Sequence, residues 1–451
     1  MKQKHCIFVS VLLSSFITPF LASSINVAVP AMATEFLVEP TQLSWIVTAF
    51  LLGAACVLLP FGRASDILGR KKLFRIGTLF VLLTTLGAGL APNASLLILL
   101  RFLQGISIAL IFSTSMAMLV SSHAPSERGK VIGYSTAAVY IGLSLGPFLG
   151  GIITLYLGWR MIFFLTASIL FGSWYMAGKI EGEWYGERGA SMDYGGSVLY
   201  FLGTLSVLGG LSILGTTPFA PWLLGGGFLL SILFLWKQMQ EKSPLLDIRL
   251  FRNVVFAMSN LASFLHYSST FSISFLMSLY LQIIRGLDAV TAGSILLLQP
   301  IMMALLSPLA GSLSDKFQPR IVASAGMGLT AMGIFALSLL REDTPFSMVG
   351  AVLLLVGTGF AFFSSPNSNA IMSSVEPRQF GIASSVMSLM RILGQAMSMV
   401  LVTLLMKNYV LPELDPHYAE SLSRGIRDTF HIFVLACCLG TFISMMRGKQ
   451  K

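Results

Sequence analysis

Residues 133–151 read Gly-Tyr-Ser-Thr-Ala-Ala-Val-Tyr-Ile-Gly-Leu-Ser-Leu-Gly-Pro-Phe-Leu-Gly-Gly. Gly133, Gly142, Gly146, Pro147, Gly150 and Gly151 all stand in one apolar segment that carries no charge. In a helix exposed to water each glycine would cost about 1 kcal/mol relative to alanine, and the proline about 3 kcal/mol. Inside a bilayer the balance changes. Gly142-xxx-Gly146 lets two helix backbones approach closely, where lipid supplies no hydrophobic drive for association. Pro147 is tolerated there because neighbouring helices can satisfy the carbonyl it frees. The stretch therefore predicts a kinked transmembrane helix with a smooth, small-residue face.

The rest of the chain agrees. Of 451 residues, 55% are hydrophobic and 11% charged, against about 25% charged in soluble domains. Apolar runs repeatedly reach the roughly 20 residues needed to cross about 30 Å of hydrocarbon. Fourteen spans are expected, at 6–30, 42–62, 73–91, 95–120, 131–155, 161–179, 195–213, 219–237, 254–283, 290–312, 321–340, 345–369, 381–406 and 429–447. With a cytoplasmic N-terminus, 21 of the 29 Lys and Arg fall on the cytoplasmic side, 6 outside, and Arg101 and Arg391 within spans. That asymmetry places both termini in the cytoplasm and the protein in the cytoplasmic membrane as a multi-pass chain. It also explains the net charge of +10 without a nucleic-acid partner, since no block of like charge forms an arm. Lys2 and Lys4 precede an apolar run too long for a signal peptide, so the first helix is expected to be retained. Cys6, Cys56, Cys437 and Cys438 show no metal or disulfide spacing. No cofactor or metal is expected, and the partners are a small-molecule substrate, protons and the lipid bilayer, with the chain a monomer.

Several motifs carry a family resemblance. Gly-x8-Gly-x3-Gly-Pro-x2-Gly-Gly, from Gly133 to Gly151, resembles the helix-five antiporter motif of drug exporters of the major facilitator superfamily. Gly62-Arg-Ala-Ser-Asp66-Ile-Leu-Gly69-Arg70-Lys-Lys is similar to that superfamily's signature loop. There the glycines permit a tight turn, and Asp66 can face a helix N-terminus with Arg70 beside it. Arg101-Phe-Leu-Gln104-Gly resembles its Arg-x-x-Gln-Gly motif, and Gly158-Trp-Arg-Met-Ile-Phe163 its Trp-Arg corner. Asn26, Ala28 and Pro30 resemble the helix-one signature of fourteen-helix drug/proton antiporters, but Leu21 stands where that family has Asp. Gly69-Arg-Lys lacks the pattern of a nucleotide phosphate loop. The halves also repeat: Gly62-x3-Asp66 recurs as Gly311-x3-Asp315, and Gly133 and Gly146 recur as Gly381 and Gly394.

The resemblance implies an all-α polytopic membrane protein with the major facilitator fold: two six-helix bundles plus two extra central helices. The expected divisions are 1–190, 191–243 and 244–451. It implies proton-coupled efflux of small amphipathic compounds by alternating access. The alternative on the same fold is a dedicated exporter or importer of one metabolite; a membrane sensor and an enzyme are the rivals of other classes. No catalytic constellation is present. Ionisable residues deep in a bilayer are functional candidates, namely Arg101, His266 and Arg391. His266 stands about 18 Å into its span at 1.5 Å per residue and can change charge near neutral pH, so it is the candidate to carry or gate the proton. Asn26, Trp45, Gln104, Asn260, Phe264, Tyr267, Phe271, Gln282, Gln299 and Phe363 are candidates for the pathway, with the 23 Met residues as adaptable lining.

Overall fold

A computed structural model describes residues 2–37, 40–214, 217–409 and 417–448. The described residues form α1 (Lys2–Phe36), α2 (Pro40–Leu68), α3 (Arg70–Gly89), α4 (Ala94–Ser121), α5 (Arg128–Leu157), α6 (Arg160–Gly178), α7 (Tyr194–Ser212) and α8 (Ala220–Gln240). They continue with α9 (Val254–Thr270), α10 (Ile273–Leu279), α11 (Ala289–Leu296), α12 (Leu298–Lys316), α13 (Pro319–Ser338), α14 (Phe346–Ser373), α15 (Phe380–Tyr409) and α16 (Tyr418–Met445). No strand occurs among the described residues. Among the described residues fourteen spans are long and apolar enough to cross a membrane, because α9 and α10 together make one span, as do α11 and α12.

Those two breaks depart from the continuous spans expected at 254–283 and 290–312. Between α9 and α10 the chain carries a run of hydroxyls, and Ser268, Ser269 and Thr270 each bond a carbonyl four residues back. Such bonds compete with the helix ladder and bend it. At the break, the Ser272 amide and hydroxyl both meet the Ser398 hydroxyl of α15. α12 restarts at Leu298 with Pro300 in its first turn, where a missing N–H is harmless. The last span also differs, since α16 begins at Tyr418 rather than near 429. Its first three turns carry Glu420, Arg424, Arg427 and Asp428, so they are helical without being apolar.

Helix ends follow from their caps. Asn93, Asp193, Asn253 and Asp288 each accept an amide bond from the first turn they precede. The turn between α2 and α3 needs Gly69, whose φ of 107° disfavours any side chain. α1 to α6 pack as one bundle and α9 to α16 as another. α7 and α8 form a hairpin outside them, joined to α2 where the Tyr200 hydroxyl donates to the Ala55 carbonyl at 2.7 Å. α1 begins and α16 ends on one face. The bundles meet there, α2 and α4 against α15, and α5 against α12.

Candidate functional site

Two pairs of helix ends close that face, and each is held by one aspartate from the opposite bundle. Asp66, at the end of α2, accepts the Gly381 and Ile382 amides of α15, both at 3.1 Å. This is a carboxylate on a helix N-terminus, where amides point outward and the dipole favours negative charge. Arg70 Nε and Nη2 donate to Asp66 at 3.0 and 2.7 Å, and Nη2 reaches the Pro377 carbonyl at 2.6 Å. Reciprocally, Asp315 at the end of α12 accepts the Gly129 and Lys130 amides of α5 at 2.7 and 2.9 Å. Asn369 stands beside it, bonded to Ser314 at 2.9 Å. We call this side the latched face.

Glycines set the approach at both seams. A Cβ on Gly62 would strike Ser385, and one on Gly381 would strike Ser65 and Asp66. Gly129 and Gly311 would each strike the other's carbonyl, and Gly133 would strike Ser307 and Pro308. Gly142, Gly146 and Gly150 lie elsewhere. They press on Phe16, Ser23 and Ser24 of α1 within one bundle, and Ser24 donates to the Gly146 carbonyl at 2.9 Å. Gly151 leaves that seam, its nearest contact being Val27 at an ordinary 3.7 Å. The connection 179–193 reinforces the Asp66 latch, which no motif indicated: Gly186 and Glu187 amides donate to the Asp66 carbonyl at 2.8 and 3.0 Å.

The other sequence candidates separate into three places. Arg101 and Gln104 are buried inside the first bundle. Arg101 Nε donates to the Ile46 carbonyl at 3.0 Å, its guanidinium lies 4.5 Å over Phe50 and bonds Gln104, and Gln104 reaches Thr85. This motif ties α2, α3 and α4 together. Asn26 is exposed on α1, and Trp45 is partly buried on α2. Leu21 is buried among Ile25, Ala28 and Trp159. Gln299 is buried on α12, with its backbone against Gly357 of α14. Asn260 is buried on α9 and donates back to the Phe256 carbonyl at 2.9 Å.

His266 and Tyr267 stand where the bundles converge. His266 is fully buried, stacked on Phe363 at 4.1 Å and edge-on to Phe360 at 4.5 Å. Neither ring nitrogen has a hydrogen-bond partner. Phe360 also meets Tyr140 of α5 and Tyr267 at 5.5 and 5.6 Å. The Tyr140 hydroxyl lies among those of Tyr267 and Ser364, within the field of Arg391. Arg391, on α15, sits 4.9 Å over Phe112 of α4. Three helices of the second bundle, α9, α14 and α15, and two of the first, α4 and α5, thus build one layer. Tyr140, Phe360, Ser364 and Phe112 were not singled out from the sequence. Tyr140 carried a signal, being the aromatic residue two positions before Gly142; the others look like any apolar-span residue.

On the other face, Glu35 joins the α6 start, accepting bonds from Trp159 Nε1 and Arg160, both at 2.7 Å. Arg160 chiefly, then Trp159, outweigh partial burial and hold the Glu35 carboxyl below its ordinary range.

Known proteins resemble the chain along its length. The riboflavin transporter RibZ of Clostridioides difficile (strain 630) is 28% identical over 398 residues, covering 88% of this chain and 87% of its own. The multidrug resistance protein Stp of Mycobacterium tuberculosis (strain CDC 1551 / Oshkosh) is 28% identical over 418 residues, covering 91% and 77%. The solved structure of the proton:xylose symporter XylE superposes with a TM-score of 0.72 at 14% identity, covering 100% of this chain and 97% of that one, a likeness of fold. Residues 11–399 match the sequence model of the Major Facilitator Superfamily. The chain belongs to the Major Facilitator Superfamily, whose members are membrane transporters rather than enzymes.

Proposed function

We propose that this transporter exports small amphipathic compounds in exchange for protons, alternating about the layer built around Phe360. One observation carries the proton coupling. At the depth where the bundles converge stand two ionisable side chains of ordinary use, His266 and Arg391, and of these the imidazole is the one that changes charge near neutral pH. With its nitrogens unpartnered between Phe360 and Phe363, a proton on His266 here would leave two buried donors unsatisfied. His266 therefore takes its proton when the layer opens toward the face opposite the latches, and the closed layer described here is the proton-free one. The latched face is the cytoplasmic one, which puts both chain ends inside, in keeping with the Lys/Arg distribution. The terminal residues themselves, 1 and 449–451, lie outside the described residues.

The name of the relative Stp supports multidrug export, and the Gly-Pro stretch of α5 agrees by resemblance. RibZ favours a second reading, a carrier dedicated to one metabolite. Expression in an efflux-deficient host with a drug panel separates the two: many raised tolerances support the first, none supports the second. In proteoliposomes, His266→Gln is expected to abolish efflux driven by a pH gradient while substrate counterflow persists. Unchanged coupling removes His266 from the mechanism.

A further inference from the structure

We propose that the midplane layer selects amphipathic substrates bearing an anionic group, held by the Arg391 guanidinium with the hydroxyls of Tyr140 and Tyr267. The inference rests on the transport reading above and names its substrate class.

Depth comes first. Arg391 lies eleven residues from the latched end of α15, which is about 17 Å at 1.5 Å per residue. Tyr140 on α5 and Tyr267 on α9 lie about 18 and 20 Å from theirs by the same rise. A hydrocarbon core of about 30 Å puts all three near its middle. A guanidinium there is expensive and demands a partner. Among the described residues Arg391 forms no ion pair and no hydrogen bond, and only the Phe112 ring stands under it at 4.9 Å. It also stays partly exposed, so it is not sealed in.

No described acid shares this layer. Asp66 and Asp315 are spent on helix ends at the latched face, and Glu35 on Arg160. Asp428 is the acid set deepest within a helix; it lies about 26 Å from the latched end of α16 and pairs with His431 on that helix's solvent-accessible side. The charge at Arg391 is thus left for cargo to match. The neighbouring groups suit an anion: Tyr140 and Tyr267 can donate, and both rings meet Phe360 at 5.5 and 5.6 Å at the depth of Arg391. Phe112 and Phe360 offer flat apolar walls to the rest of the molecule. A cation would meet an unopposed positive charge in a low-dielectric layer.

The test uses two probes with the same flat ring system and opposite charge, fluorescein and rhodamine 123, at pH 8. Fluorescence anisotropy with the purified full chain in nanodiscs reads binding at equilibrium. The wild type is expected to hold fluorescein about tenfold tighter than rhodamine 123, and Arg391→Gln to lower fluorescein affinity about tenfold without weakening rhodamine 123. Tyr140→Phe, which keeps the ring and charge, is expected to lower fluorescein affinity about threefold on the same grounds. A wild-type preference for rhodamine 123, no measurable fluorescein binding, or an equal loss of both probes in Arg391→Gln overturns the proposal. The readout needs no proton gradient, so a failure of proton-coupled export leaves this result intact, and the reverse also holds.

Discussion

Gly142, Gly146 and Gly150 recur every four residues, which keeps them on one side of α5, while Gly151 is turned about 100° from Gly150. That rotation separates glycines that look alike in the chain. The three on the repeat press directly on α1, each of them against its backbone, so any side chain there must push the helices apart. Overpacking of this kind costs about 1–3 kcal/mol. Gly146→Val is therefore expected to lower the thermal midpoint of the purified protein by several degrees. Gly151→Ala is expected to leave it unchanged or raise it, since alanine favours the helix by about 1 kcal/mol and Val27 already stands at contact distance. Equal losses at both positions would mean that the seam extends round the helix. The apolar, glycine-rich character of this stretch was legible because only a bilayer makes sense of it. The place of Tyr140 beside Gly142 was readable too, but not its inward direction, because a tyrosine in a span reads alike whether it faces lipid or a partner helix. Arg101 shows the same limit: its depth marked it as unusual, but only packing shows that its bonds run to Ile46, Gln104 and Phe50.

Helix ends decide how the two bundles are joined. The Asp66 latch gathers two α15 amides, a buried arginine and, through Arg70, the Pro377 carbonyl. The Asp315 latch has two α5 amides and Asn369 but no arginine. Bonds to a charged group contribute about 1.5–3 kcal/mol each, so the first latch, which has more of them, is the stronger. Asp66→Asn also leaves Arg70 buried without its counter-charge, whereas Asp315→Asn strands no cation. Spin labels at Ser126 and Lys316, exposed on the latched face, report the gap between the bundles. Asp66→Asn is expected to shift the distance distribution toward longer values, and Asp315→Asn to do so less. The opposite order would show that Arg70 contributes nothing to closure. The Gly-x3-Asp repeat marked both aspartates from sequence alone, in the connections after spans 42–62 and 290–312. It could not show that each caps a helix of the other bundle, because amides at a helix start carry no signature beyond their position. The break after Thr270 was hidden for a related reason: hydropathy runs on through 254–283 while hydroxyls crowd onto carbonyls of the ladder.

At the scale of the whole molecule, the reciprocal latches give an approximate two-fold arrangement with both seams on one face. Such a joint suits rocking of two rigid bundles about the His266 and Arg391 layer. The α7–α8 hairpin must then travel with one bundle or the other. Tyr200 of α7 bonds the α2 backbone and stacks near Phe234 of α8 at 5.5 Å. Lys237 and Gln238 of α8 bond Asp193 at 2.6 and 2.8 Å, closing the hairpin on the connection from α6. Burial alone would raise the Asp193 carboxyl, but the Lys237, Gly196 and Gln238 bonds together leave it below its ordinary range. It therefore stays ionised, and its bonds persist, throughout neutral and mildly acidic pH, failing only as pH falls through that lowered value. Gln238 also accepts the Leu246 amide at 3.2 Å, so the chain leaves the hairpin close to where the second bundle begins and only a short connection, 241–253, has to flex. We expect the hairpin to move with α1 to α6. Labels at Gly226 of α8 and Ser95 of α4, both exposed, should keep one distance in wild type and Asp66→Asn alike. Labels at Gly226 and Ser347 of α14, also exposed, should change their distance as the latched face opens. If the first pair moves and the second stays fixed, the hairpin belongs to the second bundle, and the hinge lies in the connection 179–193 instead.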